Sequence, residues 1–216
     1  MFIFLYLYLT CFSAFHPSPA GRLEKVAPDS IKVMYRACGA SRHIPFSLFK
    51  KSVKGFLKFQ PRKSILAIAD MSKPSDQKRL FVFDLKERKM LEATWVAHGR
   101  NSGMRKARLF SNKPNSYQTS PGFYLVGNQI YSPKHGQALV LDGLEKGIND
   151  KARQREIIMH GAEYVAEDFI RKYGRCGRSH GCPAVAPEMI KKLAPVLQGG
   201  SLLYIHAAGK FSDSAD

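Results

Sequence analysis

Apolar side chains recur every three or four positions in the first part of the chain: Ile31, Met34, Tyr35 and Cys38 come after Pro28-Asp29-Ser30, and Leu48, Val53 and Leu57 come after Pro45-Phe46-Ser47. That period puts each set on one side of a helix, and the openings at Pro28 and Pro45 mark where the two helices start. Both are basic and read as a prelude that packs against the strand-rich remainder of the chain. From Ser64 the pattern changes to short apolar and β-branched runs separated by polar turns. It predicts strands over residues 65–69, 79–84, 90–97, 122–127, 138–141, 156–159 and 201–206. Residues 84–89 form a hairpin connection. Residues 99–120 form a loop rich in Gly, Ser, Asn and Lys, long enough to suggest function.

Two helices interrupt the strands. Val165, Phe169 and Tyr173 lie at i, i+4 spacing over 163–173, with Gly174 as the stop, and a second helix runs from Pro187 to about Leu197 before Gly199-Gly200 releases the last strand. The expected class is mainly β (α+β): a β-sandwich with flanking helices. The expected division is a leader over 1–20, a helical segment over 21–63 and a catalytic domain over 64–216.

Charge sharpens the ends. The first 21 residues hold none of the chain's Lys, Arg, Asp or Glu, so the formal net charge of +17 belongs to the remainder. Phe2 to Phe15 is almost continuously apolar, and Ser18-Pro19-Ala20 offers a small-x-small cleavage site. This predicts export to the periplasm or cell envelope rather than a retained span, which needs about 20 apolar residues. A basic mature domain draws in polyanions. No nucleic-acid motif accompanies the charge, so an exported basic domain is expected to meet anionic envelope polymers rather than nucleic acid. Once the leader is removed no membrane span remains, and a monomer is expected.

The chemistry concentrates in Gly177-Arg178-Ser179-His180-Gly181-Cys182-Pro183-Ala184, preceded by Ile157-Ile158-Met159-His160-Gly161. A free thiol is only slightly ionised near neutral pH, so a nucleophilic Cys182 needs an activating neighbour, and His160 and His180 are nearest in sequence. Gly181 lets the backbone turn its own N–H and that of Cys182 toward an oxyanion. Ser179 reads as a hydroxyl that holds the turn. Arg178 reads as a partner for a peptide carboxylate or for Asp142. His180 lines the pocket. Arg105, Lys106 and Arg108 make the long loop a candidate lid or substrate cradle. Cys38 and Cys176 are either a disulfide pair or two small apolar residues.

Ser-x-Gly-Cys after Ile-x-x-His-Gly resembles the bacterial L,D-transpeptidases, the YkuD-type or murein L,D-transpeptidase catalytic domain. Residues 96–103, 109–114, 141–147 and 177–179 extend the resemblance over roughly 80–205. The resemblance implies a β-sandwich, Cys182 as nucleophile, His160 as general base and a Gly161 carbonyl that fixes the imidazole tautomer. It places His98 and Tyr124 near the substrate channel. It implies acyl transfer on peptidoglycan stem peptides through a thioester, to an amine or to water, with no metal and no cofactor. Three alternatives compete. A papain-like or NlpC/P60-type peptidase would use His206 as the downstream histidine. A zinc site would gather His160, Cys176, His180 and Cys182. A non-catalytic, basic envelope-binding module would use neither thiol nor imidazole.

Overall fold

The computed structural model of the chain describes residues 28–213; the candidate leader and Cys11 lie outside them. Two helices come first, α1 (Pro28–Ala37) and α2 (Phe46–Phe59). Three strands come next, β1 (Ile65–Asp70), β2 (Leu80–Asp84) and β3 (Lys89–Thr94). The short β4 (Leu109–Phe110) precedes a long hairpin of β5 (Gly122–Ser132) and β6 (Gly136–Gly143), and β7 is Ile158–Gly161. The chain ends with α3 (Glu167–Tyr173), β8 (Ala184–Val185), α4 (Pro187–Leu197), β9 (Ser201–His206) and β10 (Lys210–Phe211).

Eight strands make one mixed sheet in the order β3-β2-β1-β9-β5-β6-β7-β8, and β4 pairs with β10 separately. Alternation along the strands decides what each face buries. Leu66 and Ile68 of β1, Phe81 and Phe83 of β2, and Leu202 and Tyr204 of β9 meet Ile31, Met34, Phe49, Val53 and Phe56 of the two helices. The helices therefore share a core with the sheet. Gly55 allows the close approach, because a Cβ there would lie 2.1 Å from the Phe123 ring. The opposite face sends Ala67, Val82, Tyr124, Leu139, Met159 and Leu203 into a larger core with Ile190, Leu193 and Leu197 of α4. At about 25 cal/mol per Å² of buried apolar area, these two cores supply the main favourable term in folding.

Several elements differ from the expected bounds. The β5–β6 hairpin reaches Ser132 and Gly136, well past the apolar run, because its outer residues pair with each other and stand in solvent, where no alternation is required. Tyr131 is 83% exposed. β7 starts two residues later than expected and includes His160. The helix expected over 163–173 begins as a 3-10 turn at Glu163–Val165 and becomes α-helical only from Glu167. The loop 99–120 is pinned by β4 and by Arg108 N–H donating to Ser102 O at 2.7 Å. Cys38 and Cys176 are free, buried thiols in separate cores, so no disulfide joins them. Among the described residues no helix is long and apolar enough to cross a membrane.

Candidate active site

β7 carries His160 to the edge of the sheet, and there it pairs in parallel with β8, His160 opposite Ala184. Cys182 lies two residues before Ala184, so sheet pairing sets the thiol's turn beside the imidazole's strand. On its other side the same turn is held by residues 97–100: Ala97 N–H donates to Ala184 O at 2.8 Å, Ser179 N–H to His98 O at 3.0 Å and Arg100 N–H to Ser179 O at 2.8 Å. The turn is thus fixed between two strand-like segments.

Ser179 ties the turn internally. Its hydroxyl donates to Cys182 O at 2.6 Å and accepts from Gly181 N–H at 3.0 Å. The Gly181 N–H expected at an oxyanion is therefore already committed to the Ser179 hydroxyl. Gly181 sits at φ 126°, which L side chains rarely adopt, and a Cβ would lie 2.9 Å from Gln118 O.

His160 is 1% exposed, and its Nδ1 lies 2.9 Å from Gly161 O. A carbonyl only accepts, so Nδ1 carries the proton and Nε2 keeps its lone pair. Burial pushes the ring's pKa down to about 4, with His135 and Lys134 adding to the fall and the Gly161 bond opposing it. The ring is neutral near pH 7 and available as a base. Burial also raises the Cys182 thiol above its ordinary range, while the Ile158 N–H and the Arg155 charge pull it back. The thiol donates to Glu156 O at 3.7 Å, and among the described residues no hydrogen bond joins it to His160. In this structure both groups rest neutral, the thiol turned toward Glu156 O and the imidazole held at Nδ1 by Gly161 O. Loose geometry of this kind is common before substrate binds.

Two residues outside the sequence expectations shape this site. Arg155 reaches under the turn, where its Nη1 donates to Ser111 O at 2.8 Å and its Nη2 to Gln118 O at 2.7 Å, fixing the loop 111–120 against Gly181. His135 stacks on His160 with ring centroids 3.9 Å apart and planes inclined by 28°. A cleft of about 430 Å³ opens on the His135 and Gly161 side, lined also by Tyr164, Pro187 and Lys191; neither His160 nor Cys182 lines it. Gly161 is required here because a Cβ would lie 2.9 Å from Ile190 Cγ2.

The remaining candidates fall into two groups. His180 and Arg178 stand at the rim: His180 packs on Tyr117 at 4.7 Å, Arg100 lies 4.0 Å from the same Tyr117 ring, and Arg178 donates to Arg100 O at 3.0 Å. Asp142 pairs with Arg153 rather than with Arg178. His98 and Tyr124 are sealed in the scaffold, both 0% exposed, so neither side chain faces a substrate in this structure. Tyr124 donates to Ser120 O at 2.9 Å. His98 accepts from Arg79 Nη2 at 2.7 Å through Nδ1 and donates to Gly103 O at 3.2 Å through Nε2. Arg105 of the expected lid is bound to Asp76, its Nη2 at 2.6 Å from Oδ2.

The alternatives fare differently. His206 lies on β9 in register with Asp70 and lines a separate recess with Pro45 and Lys51, not with Cys182. Among the described residues no three His, Cys, Asp or Glu side chains gather as a metal ion would need.

The site is thus a β-rich scaffold with Cys182 on the turn next to a strand-end histidine. A sequence profile of the L,D-transpeptidase catalytic domain matches residues 40–206, well over half of the chain, and the chain belongs to that family. A search of curated proteins finds no match. Among solved structures, an L,D-transpeptidase from Mycobacterium smegmatis is 14% identical with a TM-score of 0.41, over 67% of this chain and 59% of its own. An L,D-transpeptidase from Stackebrandtia nassauensis is 18% identical with a TM-score of 0.40, over 83% and 77%. L,D-transpeptidase 3 from Mycobacterium tuberculosis, solved with a faropenem-derived adduct, is 14% identical with a TM-score of 0.42, over 68% and 61%. This chain therefore spans less than two thirds of the first of these. Family membership rests on the profile match and not on the superpositions, whose TM-scores all lie below 0.5.

Proposed function

We propose that the chain is an extracytoplasmic acyltransferase acting on peptidoglycan stem peptides, with Cys182 as nucleophile and His160 as general base. The carrying observation is the single tautomer that Gly161 O imposes on His160, on a strand paired to the one that follows the Cys182 turn. The thiol proton passes to Nε2 as sulfur attacks the carbonyl after the third residue of a tetrapeptide stem. The carbonyl C–N bond then breaks, the imidazolium returns the proton to the departing amine of D-alanine, and a thioester remains. His160 next takes a proton from the acceptor, either an amine of a neighbouring stem or water, and the thiol is regenerated. The Cys182 N–H is the backbone donor for the oxyanion, and the basic rim of Arg100 and Arg178 favours carboxylate-bearing peptides. The papain-like order is disfavoured by the place of His206.

The test is incubation with a synthetic stem tetrapeptide, with and without an acceptor peptide. Release of D-alanine together with a transient mass increase on the protein is expected. Release with no dependence on Cys182 would contradict the assignment.

A further inference from the structure

The turn between β5 and β6 is three residues long, Pro133-Lys134-His135, closed by the Ser132–Gly136 pair with Gly136 at φ 65°. A left-handed glycine at that place is the ordinary way to close such a hairpin, and it folds the third turn residue back across the sheet. Ala138, further along β6, is paired with His160. The His135 ring stacks on one face of the His160 ring, with centroids 3.9 Å apart. His160's Nδ1 edge is held by Gly161 O and one of its faces by His135, which leaves Nε2 as the part of the ring free to exchange a proton.

We propose that His135 is a positioning residue for the base: its ring clamps the plane of His160, and its charge state controls how readily His160 can become an imidazolium. This rests on His160 being the base of the proposed reaction. While His135 is neutral the stack shields the imidazole and orients Nε2. When His135 takes a proton, a second positive charge would have to form a ring's width away, and proton uptake from the thiol is opposed. The groups facing the pair are Lys134 on the same turn, His180 on the nucleophile turn, Glu163 and Tyr164 after β7, and Lys191 on α4. Burial first, then Lys134 and His180, holds His135 below the ordinary histidine range, so it is neutral near pH 7.

The measurement is the second-order rate constant for alkylation of Cys182 by iodoacetamide between pH 4 and 9, read at the Cys182 peptide by mass spectrometry. The full chain is compared with His160→Asn, His135→Phe and His135→Ala. Iodoacetamide is neutral and needs no peptide site, so the readout does not depend on substrate recognition. The wild type should lose rate on acidification in two stages, first as His135 protonates and then as His160 does. His135→Phe keeps an aromatic face and should lose the upper stage. His135→Ala should also lose the upper stage, and above it should slow alkylation about three- to tenfold, the range typical of an aromatic pair. If both His135 variants superimpose on the wild type while His160→Asn slows the reaction, His135 is a bystander and the base assignment stands. If His160→Asn also superimposes, the base assignment fails and takes this proposal with it.

Discussion

Two histidines, His98 and His160, sit in matching local sequence, each at the end of an apolar run and each followed by glycine, and they flank the Cys182 turn from opposite sides. Both are buried, and burial lowers both, His98 to about 3 and His160 to about 4. The difference lies in their second nitrogen. His98 is saturated, with Arg79 donating to Nδ1 and Gly103 O accepting from Nε2. His160 spends Nδ1 on Gly161 O, and among the described residues its Nε2 has no hydrogen bond. A buried imidazole with both nitrogens paired is a structural cross-link. One with a single nitrogen paired and a tautomer fixed can act as a base. Burial and a shifted pKa do not separate the two cases, whereas hydrogen-bond accounting does.

Exchanging the two histidines gives the sharpest contrast. His160→Asn should lower the rate of covalent capture at Cys182 by about 10²–10⁴, the usual contribution of a positioned general base, with little change in thermal midpoint. His98→Gln should do the reverse, costing about 1–3 kcal/mol of stability because the amide does not hold both Arg79 Nη2 and Gly103 O at the imidazole's spacing, with a much smaller effect on rate. Equal effects of the two variants on rate would erase the distinction. Calorimetry beside capture kinetics reads both.

Gly181→Ala tests the turn that both segments support. Its φ of 126° and the 2.9 Å approach to Gln118 O should cost about 1–3 kcal/mol and move the thiol, so stability and rate fall together. An alanine variant with full rate would show that the glycine is not needed at that place.

The remaining contrast concerns pH. An unfolded histidine titrates near 6.5, and His98 and His160 titrate lower in the fold, so between these values the unfolded chain binds more protons and stability falls as pH drops. The contribution is complete above about pH 6.5 and is lost progressively toward pH 3. His98→Gln should flatten the His98 part of this slope, and denaturant titration from pH 7 to pH 4 would show it. An unchanged slope would mean that His98 is not buried neutral.

Much of this is legible in the sequence, for physical reasons. Alternation locates the strands wherever one face meets a core, and Cys182 after Gly181 with a strand-end His160 marks the pair proposed to react. Pattern fails where pairing occurs without burial: the outer half of the β5–β6 hairpin is exposed on both faces, and β8 is only two residues long. His98 cannot be told from His160 by sequence, because its decisive partner, Arg79, lies 19 residues away and reads as an ordinary strand residue. His135 escapes notice although Pro133 and Gly136 mark a turn, since nothing in the sequence reveals that the turn folds back onto His160. Arg155 is one basic residue among many until the fold brings it beneath Gly181.

The central claim is that a neutral His160 activates Cys182 for acyl transfer, and it is tested most directly by intact-mass spectrometry after exposure to a carbapenem. The wild type is expected to gain one drug mass, Cys182→Ala none, and His160→Asn the same mass far more slowly. An adduct that persists in Cys182→Ala, or one that forms at the wild-type rate without His160, would contradict the account.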